Sequence, residues 1–170
     1  MSEYGIGLTV EELKRRTSPV WPYKYFNPGK PVDLNDVKDL LNGMVDIHLH
    51  GAPAGAWLSG RPTVVQTCLD SSDNKVGALV FKDHYTMTNN FAIMINEMLG
   101  HVKELKEQQG ESFSPVRVYG GLVLNYPVGG MNPAAVKNAL GYGECVEIWL
   151  PSVNSKWQHD AIGLEGGIAV

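Results

Sequence analysis

The stretch "MVDIHLH" (residues 44–50) decides how the fold is interpreted. It is a short apolar run that ends in His48 and His50, and Gly51 follows directly. Residues i and i+2 of a β-strand point to the same side. The pattern therefore predicts a buried strand with two imidazoles side by side at its carboxyl end. Asp46 is expected to share their face one step deeper, and Gly51 lets backbone approach the site closely.

Apolar runs and amphipathic segments alternate after this stretch. The sequence predicts strands at 44–50, 76–84, 116–125 and 145–152, with helices at 61–74, 88–110 and 132–143 between them. Most of these strands are almost continuously apolar, as expected of a parallel sheet covered by helices. Their starts recur roughly every 30 residues, which is the size of one βαβ unit. A further helix after the last strand is left open.

Two segments precede the first predicted strand. Residues 18–32 combine four prolines with four aromatic side chains, which predicts an extended arm because proline fixes φ and removes a backbone donor. Residues 33–43 are typical of a short helix. We therefore divide the chain into an N-terminal arm with a leading helix, residues 1–43, and a barrel domain, residues 44–170.

Alternating strands and helices occur in open doubly wound sheets and in closed (β/α)₈ barrels. The glycine-rich dinucleotide fingerprint is absent after the first strand, where "HLHGAPAGAW" (48–57) stands instead, and no P-loop is present. The sequence therefore favours an α/β fold, specifically the N-terminal half of a (β/α) barrel with about four parallel βα units. A complete barrel typically needs about 250 residues.

Composition excludes several classes of function. Hydrophobic residues make up 44% and charged residues 19%, as in globular proteins. The net charge of −4 and the lack of a basic stripe argue against a nucleic-acid partner. No apolar run approaches the roughly 20 residues that span a bilayer, and no signal peptide is recognisable, so we expect a cytoplasmic protein without a membrane partner. Cys68 and Cys145 look like core residues, although sequence alone leaves their pairing open.

Polar side chains also mark the carboxyl ends of the later strands. Lys82 and His84 share a face, and we predict that both are catalytic. Lys82 is suited to neutralising an anionic substrate, to acid–base work or to carrying a carboxylate group between two metals, and His84 to binding metal or shuttling protons. Asn125, Trp149 and His159 are predicted to bind substrate. The structural alternatives are a solvated strand tip for Lys82 and a tight loop without a ligand after Asn125.

The two histidines of the first strand are the main candidates for a metal site. Two imidazole nitrogens on one face are a natural pair of ligands for a divalent metal, with zinc as the first choice. An H-x-H pattern is weak by itself, and its position at the carboxyl end of a strand adds the information. A purely structural histidine pair is the alternative.

The set "VDIHLHGAP … LVFKDHYTMT … GGLVLNYPVGGMNP … VEIWLPS" resembles the amidohydrolase superfamily of metal-dependent hydrolases on (β/α)₈ barrels. It looks most like one uncharacterised amidohydrolase-like family of bacteria and archaea, over roughly residues 40–155. The resemblance implies that His48 and His50 bind metal and that a metal-activated water hydrolyses an amide, ester or related C–N bond of a small molecule. The chain departs from the superfamily at Trp149, where some relatives carry a bridging lysine, and it offers no counterpart of the catalytic aspartate.

Four βα units make up about half of a (β/α) barrel, so further units are needed to close it. We expect either a missing C-terminal half or a homo-oligomer. The alternative function is a non-catalytic half-barrel, or an assembly subunit, with a vestigial metal site. The inner faces of the later strands are expected to meet water, so the chain is not expected to be a stable monomer.

Overall fold

The computed structural model describes residues 34–52 and 62–169. The predicted arm at 18–32 and most of the segment 1–43 lie outside these residues. In chain order the elements are α1 (Leu34–Leu41), β1 (Val45–Leu49), α2 (Val64–Asp73), β2 (Ala78–Phe81), α3 (Asn89–Gln108), β3 (Arg117–Val123), a 3-10 turn (Tyr126–Val128), α4 (Pro133–Gly141), β4 (Cys145–Trp149) and α5 (Lys156–Ala161). The predicted alternation is confirmed, and α5 is the helix that the sequence left open. No described helix is long and apolar enough to cross a membrane.

The four strands form one parallel sheet in the order β1-β2-β3-β4, which confirms an α/β fold. Each strand lies next to its predecessor in the chain. A doubly wound sheet instead reverses its order at a switch point. The order seen here is the one that a barrel uses.

Side chains explain where two of the helices begin. Thr63 and Gln66 form a capping box before α2: Oγ1 of Thr63 accepts from the Gln66 amide at 3.1 Å, and Oε1 of Gln66 accepts from the Thr63 amide at 2.9 Å. Asn132 caps α4 by accepting from the amide of Ala134 at 3.0 Å, and Pro133 occupies the first helical position. The sequence predicted this second cap.

Apolar side chains on one face of the sheet pack under the helices. The larger cluster joins β2 and β3 to α2 and α3 and contains Cys68, Val76, Leu79, Phe81, Ala92, Ile95, Leu99, Phe113, Val116 and Val118. The smaller cluster contains Leu122, Leu124 and Ala139, and Cys145 packs against it. Both cysteines are free, and burial raises the pKa of the Cys68 thiol to about 12. They therefore behave as the core residues that the sequence predicted.

A bulge in β1 changes which side chains face the helices. Asp46 pairs with Leu79 and Leu49 pairs with Phe81, so three steps along β1 match two along β2. Residues paired across neighbouring strands point the same way, so Asp46 lies on the helix-covered face together with Leu49. The prediction that Asp46 shares the face of the two histidines is therefore wrong, because strict alternation does not continue through a bulge.

The side chains of the two edge strands meet on the face opposite the helices. Three strand spacings of about 4.8 Å would place β1 and β4 about 14 Å apart in a flat sheet. The ring centroids of His48 on β1 and Trp149 on β4 are nevertheless 6.2 Å apart. The Trp149 ring lies over Gly121 of β3, so this edge side chain leans toward the centre of the sheet, and we call this side the concave face.

Burial on the concave face differs from the expectation. Val80 and Val123 are only 3% and 1% exposed, so the prediction that the inner face of the sheet meets water is wrong for the two central strands. Exposed apolar side chains lie on the edge strands instead: Val45 and Ile47 of β1 are 57% and 61% exposed, and Val146 of β4 is 56% exposed. The Trp149 side chain contributes to the difference, because it reaches from the edge over the centre of the sheet.

Two consecutive glycines let neighbours approach both faces of β3. A Cβ on Gly120 would lie 2.3 Å from backbone atoms of Thr88 and Asn89, where α3 begins. A Cβ on Gly121 would lie 2.2 Å from the carbonyl oxygen of Glu147 and 2.6 Å from the Trp149 ring. Any side chain at either position would displace backbone, so both positions require glycine.

Candidate functional site

His48 on β1 and His50 directly after this strand hold their ring nitrogens at the spacing of two ligands on one metal ion. Nε2 of His48 lies 3.3 Å from Nε2 of His50. Two nitrogen ligands of a tetrahedral zinc ion, each about 2.0–2.1 Å from it, are about 3.3–3.4 Å apart. His48 is exposed and His50 is half-buried, so a solute can reach the pair.

The structure brings the four predicted strand-end residues together. The His50 ring stacks on the His84 ring at a centroid distance of 5.0 Å. Nζ of Lys82 lies 5.4 Å from the centroid of the Trp149 ring, which the His48 ring also approaches at 6.2 Å. Trp149 therefore borders both the histidine pair and the lysine. We call this group of five side chains the strand-end cluster.

Lys82 is the buried cation of the strand-end cluster. Only 7% of it is exposed, and this burial lowers the pKa of its ammonium group, while the negative charge of Glu147 acts in the opposite direction. Glu147 pairs with Gly121 in the β3–β4 ladder and so lies on the concave face. Sequence reasoning missed Glu147, although its spacing of two residues from Trp149 was the available signal.

Asn125 joins the loops that follow three strands. It is fully buried, and its Oδ1 accepts from the amide of Ser152 at 2.9 Å. Its Nδ2 donates to the carbonyl of His84 at 3.0 Å and to Oγ of Ser152 at 3.3 Å. Oγ of Ser152 also lies 3.0 Å from Nδ1 of His84. These bonds fix the position of His84, and the substrate contact predicted for Asn125 stays a prediction.

Ser152 and Asn154 are further residues that sequence reasoning missed. The amide of Asn154 donates to Oδ1 of Asn125 at 3.4 Å, and its own Oδ1 accepts from the amide of Tyr126 at 3.1 Å. Both follow β4 as Asn125 follows β3. Polar residues at equivalent strand ends were therefore the signal that could have found them.

His159 lies apart from the contacts of the strand-end cluster. It is buried in α5, where Nδ1 donates to the carbonyl of Glu165 at 3.1 Å and the ring meets Tyr126 edge-on at 6.2 Å. Its Nε2 is buried and has no hydrogen-bond partner among residues 34–52 and 62–169. The structure thus brings His159 to Tyr126, and the substrate contact predicted for it stays a prediction.

Two side chains of the strand-end cluster, His48 and His50, have the spacing of metal ligands. In the described part of the chain, no group of three or more His, Cys, Asp and Glu side chains is arranged to hold a metal ion. His84 stacks on His50, and its Nδ1 faces Ser152, so its predicted role as a ligand stays a prediction. A catalytic zinc ion has three protein ligands and a water. His48 and His50 supply two of these ligands.

Comparisons with known proteins give a family and no activity. No curated protein and no solved structure matches the chain. A family model matches residues 43–167, a range that contains all four strands, the strand-end cluster and His159. The chain therefore belongs to DUF6282, a family of unknown function.

Proposed function

We propose that the strand-end cluster is the site of a metal-dependent hydrolase. In this proposal His48 and His50 hold a divalent metal ion, with zinc as the first candidate, and the substrate is a small molecule with an amide, ester or related C–N bond. The observation that carries the proposal is the 3.3 Å separation of the two Nε2 atoms, which matches the spacing of two ligands on one tetrahedral ion.

The side chains around the histidine pair suit the chemistry of hydrolysis. When bound, a zinc ion lowers the pKa of a coordinated water to about 7 and polarises a carbonyl oxygen. Nδ2 of Asn125 donates to Oγ of Ser152, and this Oγ also lies 3.0 Å from Nδ1 of His84. Held by this contact, His84 is the group proposed to protonate the leaving nitrogen or oxygen. Trp149 forms a wall of the site, and Lys82 contributes charge.

The barrel architecture is part of the same proposal. Four parallel strands in sequential order, a concave face and polar side chains at the carboxyl ends all support the first half of a (β/α) barrel. Further strands, or a second copy of the chain, then supply the remaining ligands and the catalytic base. Two free thiols suit a reducing compartment, and we place the protein in the cytoplasm.

Calorimetric titration of Zn²⁺ into chelator-treated protein tests the metal site. We expect one zinc ion per site in the wild type and none in the double variant His48→Ala, His50→Ala. His101→Ala is the matched control, because His101 lies exposed on α3 beside Glu104. If the double variant retains its zinc, the histidine pair is not the metal site.

Hydrolysis of small chromogenic esters and anilides tests the activity. We expect turnover that is lost after treatment with a chelator, is restored by Zn²⁺ and is absent from the double variant. Turnover that persists in the chelator-treated double variant would come from another group and would count against the proposal. Normal zinc binding without any hydrolysis would leave only the metal site standing.

A second candidate function is an assembly subunit without activity. The exposed apolar side chains of Val45 and Ile47 on β1 and of Val146 on β4 favour it, since open strand edges and apolar patches template association. Light scattering on the chain distinguishes the outcomes. A homo-oligomer supports closure by a second copy, whereas a monomer with one cooperative melting transition removes the assembly function.

A further inference from the structure

Lys82 places a cation where water is largely excluded. It follows directly after β2, and its amide donates to the carbonyl of Leu49 at 2.8 Å, which fixes the backbone at the carboxyl end of the sheet. Only 7% of the residue is exposed, and its Nζ lies 5.4 Å from the centroid of the Trp149 ring. The ammonium group therefore lies within the strand-end cluster and not at a solvated strand tip.

The ammonium group has no close anionic partner. An ammonium group has three donors. Within residues 34–52 and 62–169, no carboxylate lies within 4.0 Å of Nζ. The indole face and the more distant charge of Glu147 are its electrostatic partners. Buried charges are normally paired, so this position is incomplete without a counter-ion.

We propose that Lys82 receives a carboxylate group of the substrate, so that the site takes small molecules that carry a carboxylate. This inference rests on the proposed function only in treating the bound molecule as a substrate. Binding of an anion at Lys82 itself needs no metal. In this arrangement the carboxylate contacts Nζ of Lys82. The rest of the molecule extends toward the histidine pair, which borders the same indole.

Charge in the surroundings favours a carboxylate over a phosphate. Phosphate sites in proteins usually combine several donors, such as an arginine fork or the free amides of a helix start. The strand-end cluster contains one lysine, and the nearby carboxylate of Glu147 opposes a second negative charge on the ligand. A single negative charge therefore fits the cluster better than a dianion.

The test uses benzoate and benzamide, which share their shape and differ in charge, and it uses metal-free protein. Binding is followed by NMR on the indole N–H signal of Trp149, assigned with Trp149→Phe, and the 69% exposed Trp157 serves as the internal reference. We expect benzoate to bind at least about tenfold more tightly than benzamide in the wild type. Equal binding of the two probes, or no binding of benzoate, would overturn the proposal. Because metal is absent, the result is independent of the zinc titration.

Three variants assign the charge preference to Lys82. Lys82→Met should reduce the preference for benzoate to below about twofold. Lys156→Met should leave it unchanged, because Lys156 is exposed and pairs with Asp160. Glu147→Gln should tighten benzoate binding by about two- to fivefold and leave benzamide unaffected, because it removes a repulsive charge. This last variant keeps the test valid if Lys82→Met fails to fold, and weaker benzoate binding in Glu147→Gln would contradict the proposal.

Discussion

Substitution of Gly121 by alanine tests how closely β3 packs against Glu147 and Trp149 of β4. The new methyl group would lie 2.2 Å from the carbonyl oxygen of Glu147 and 2.6 Å from the Trp149 ring. The Trp149 ring can turn, but the carbonyl belongs to the backbone of β4, which β3 binds through the hydrogen bond from the Leu124 amide to the Trp149 carbonyl at 3.0 Å. The substitution therefore forces β3 and β4 apart as well as moving the indole.

The structure sets the size of the effect. Overpacking a well-packed core typically costs about 1–3 kcal/mol, and a clash with backbone belongs at the upper end, so we expect a loss of about 3 kcal/mol. For a chain of this length that loss lowers the melting temperature by about 6–12 °C. In urea it shifts the unfolding midpoint by about 1.5 M, if the slope is about 2 kcal/mol per molar.

Urea unfolding followed by circular dichroism measures the loss, and Gly100→Ala is the matched control. Gly100 lies inside α3, and a Cβ there would meet nothing within 4 Å. Alanine in a helix interior is favoured over glycine by about 0.8–1.0 kcal/mol, so this control should be slightly more stable than the wild type. If Gly121→Ala unfolds at the wild-type urea concentration, the close contact between β3 and Trp149 does not exist in solution.

Four further changes have defined outcomes. Lys82→Met should raise the free energy of unfolding by about 1–3 kcal/mol at pH 7, because a buried cation without a close partner is removed. Burial lowers the pKa of Lys82 in the folded state, so the folded wild-type chain loses this proton before the unfolded chain does. The extra stability of Lys82→Met should therefore shrink as the pH rises toward the unfolded pKa of about 10.4. A stability difference that stays constant in melts at different pH would contradict this. Asn125→Ala should cost about 2–4 kcal/mol in urea unfolding, since buried amides of the β4 loop lose their acceptor. Cys68 should resist iodoacetamide at pH 8 in the folded protein, because a thiol with a pKa of about 12 is about one ten-thousandth thiolate; rapid labelling seen by mass spectrometry would show that this core opens. Val45→Lys combined with Ile47→Lys should shift any oligomer toward monomer in light scattering, and an unchanged mass would mean that β1 is not the contact.

Local signals predicted the parts of the fold that local chemistry decides. Asn132 and Pro133 marked the start of α4, and their cap has the expected hydrogen bond. Continuous apolar runs indicated a parallel sheet because strands of helix-covered parallel sheets are typically apolar on both faces. The histidine pair was visible because His48 and His50 are two residues apart, and they remain neighbours past the bulge.

Features that depend on partners distant in sequence were not predictable. The reversal of Asp46 comes from pairing with Leu79, which lies on a different strand, so no pattern within β1 could show it. The burial of Val80 depends on side chains from other parts of the chain that cover it, and the strand's own sequence does not show them. Ser152 contacts His84 across 68 positions of sequence, and only the folded sheet brings their loops together.

At the paired glycines of β3, only one layer of backbone separates the start of α3 from the Trp149 ring of the strand-end cluster. Gly120 admits the start of α3 on one side, and Gly121 admits the indole of Trp149 on the other. Thr88 binds the same layer, since its amide donates to the Gly121 carbonyl at 3.0 Å and its Oγ1 accepts from the Gly121 amide at 2.8 Å. Gly120 and Gly121 have no side chain that could absorb a displacement between the Trp149 ring and the start of α3. A ligand that presses on the indole should therefore alter amide hydrogen exchange in the first turn of α3, on the side of the sheet that the ligand never touches.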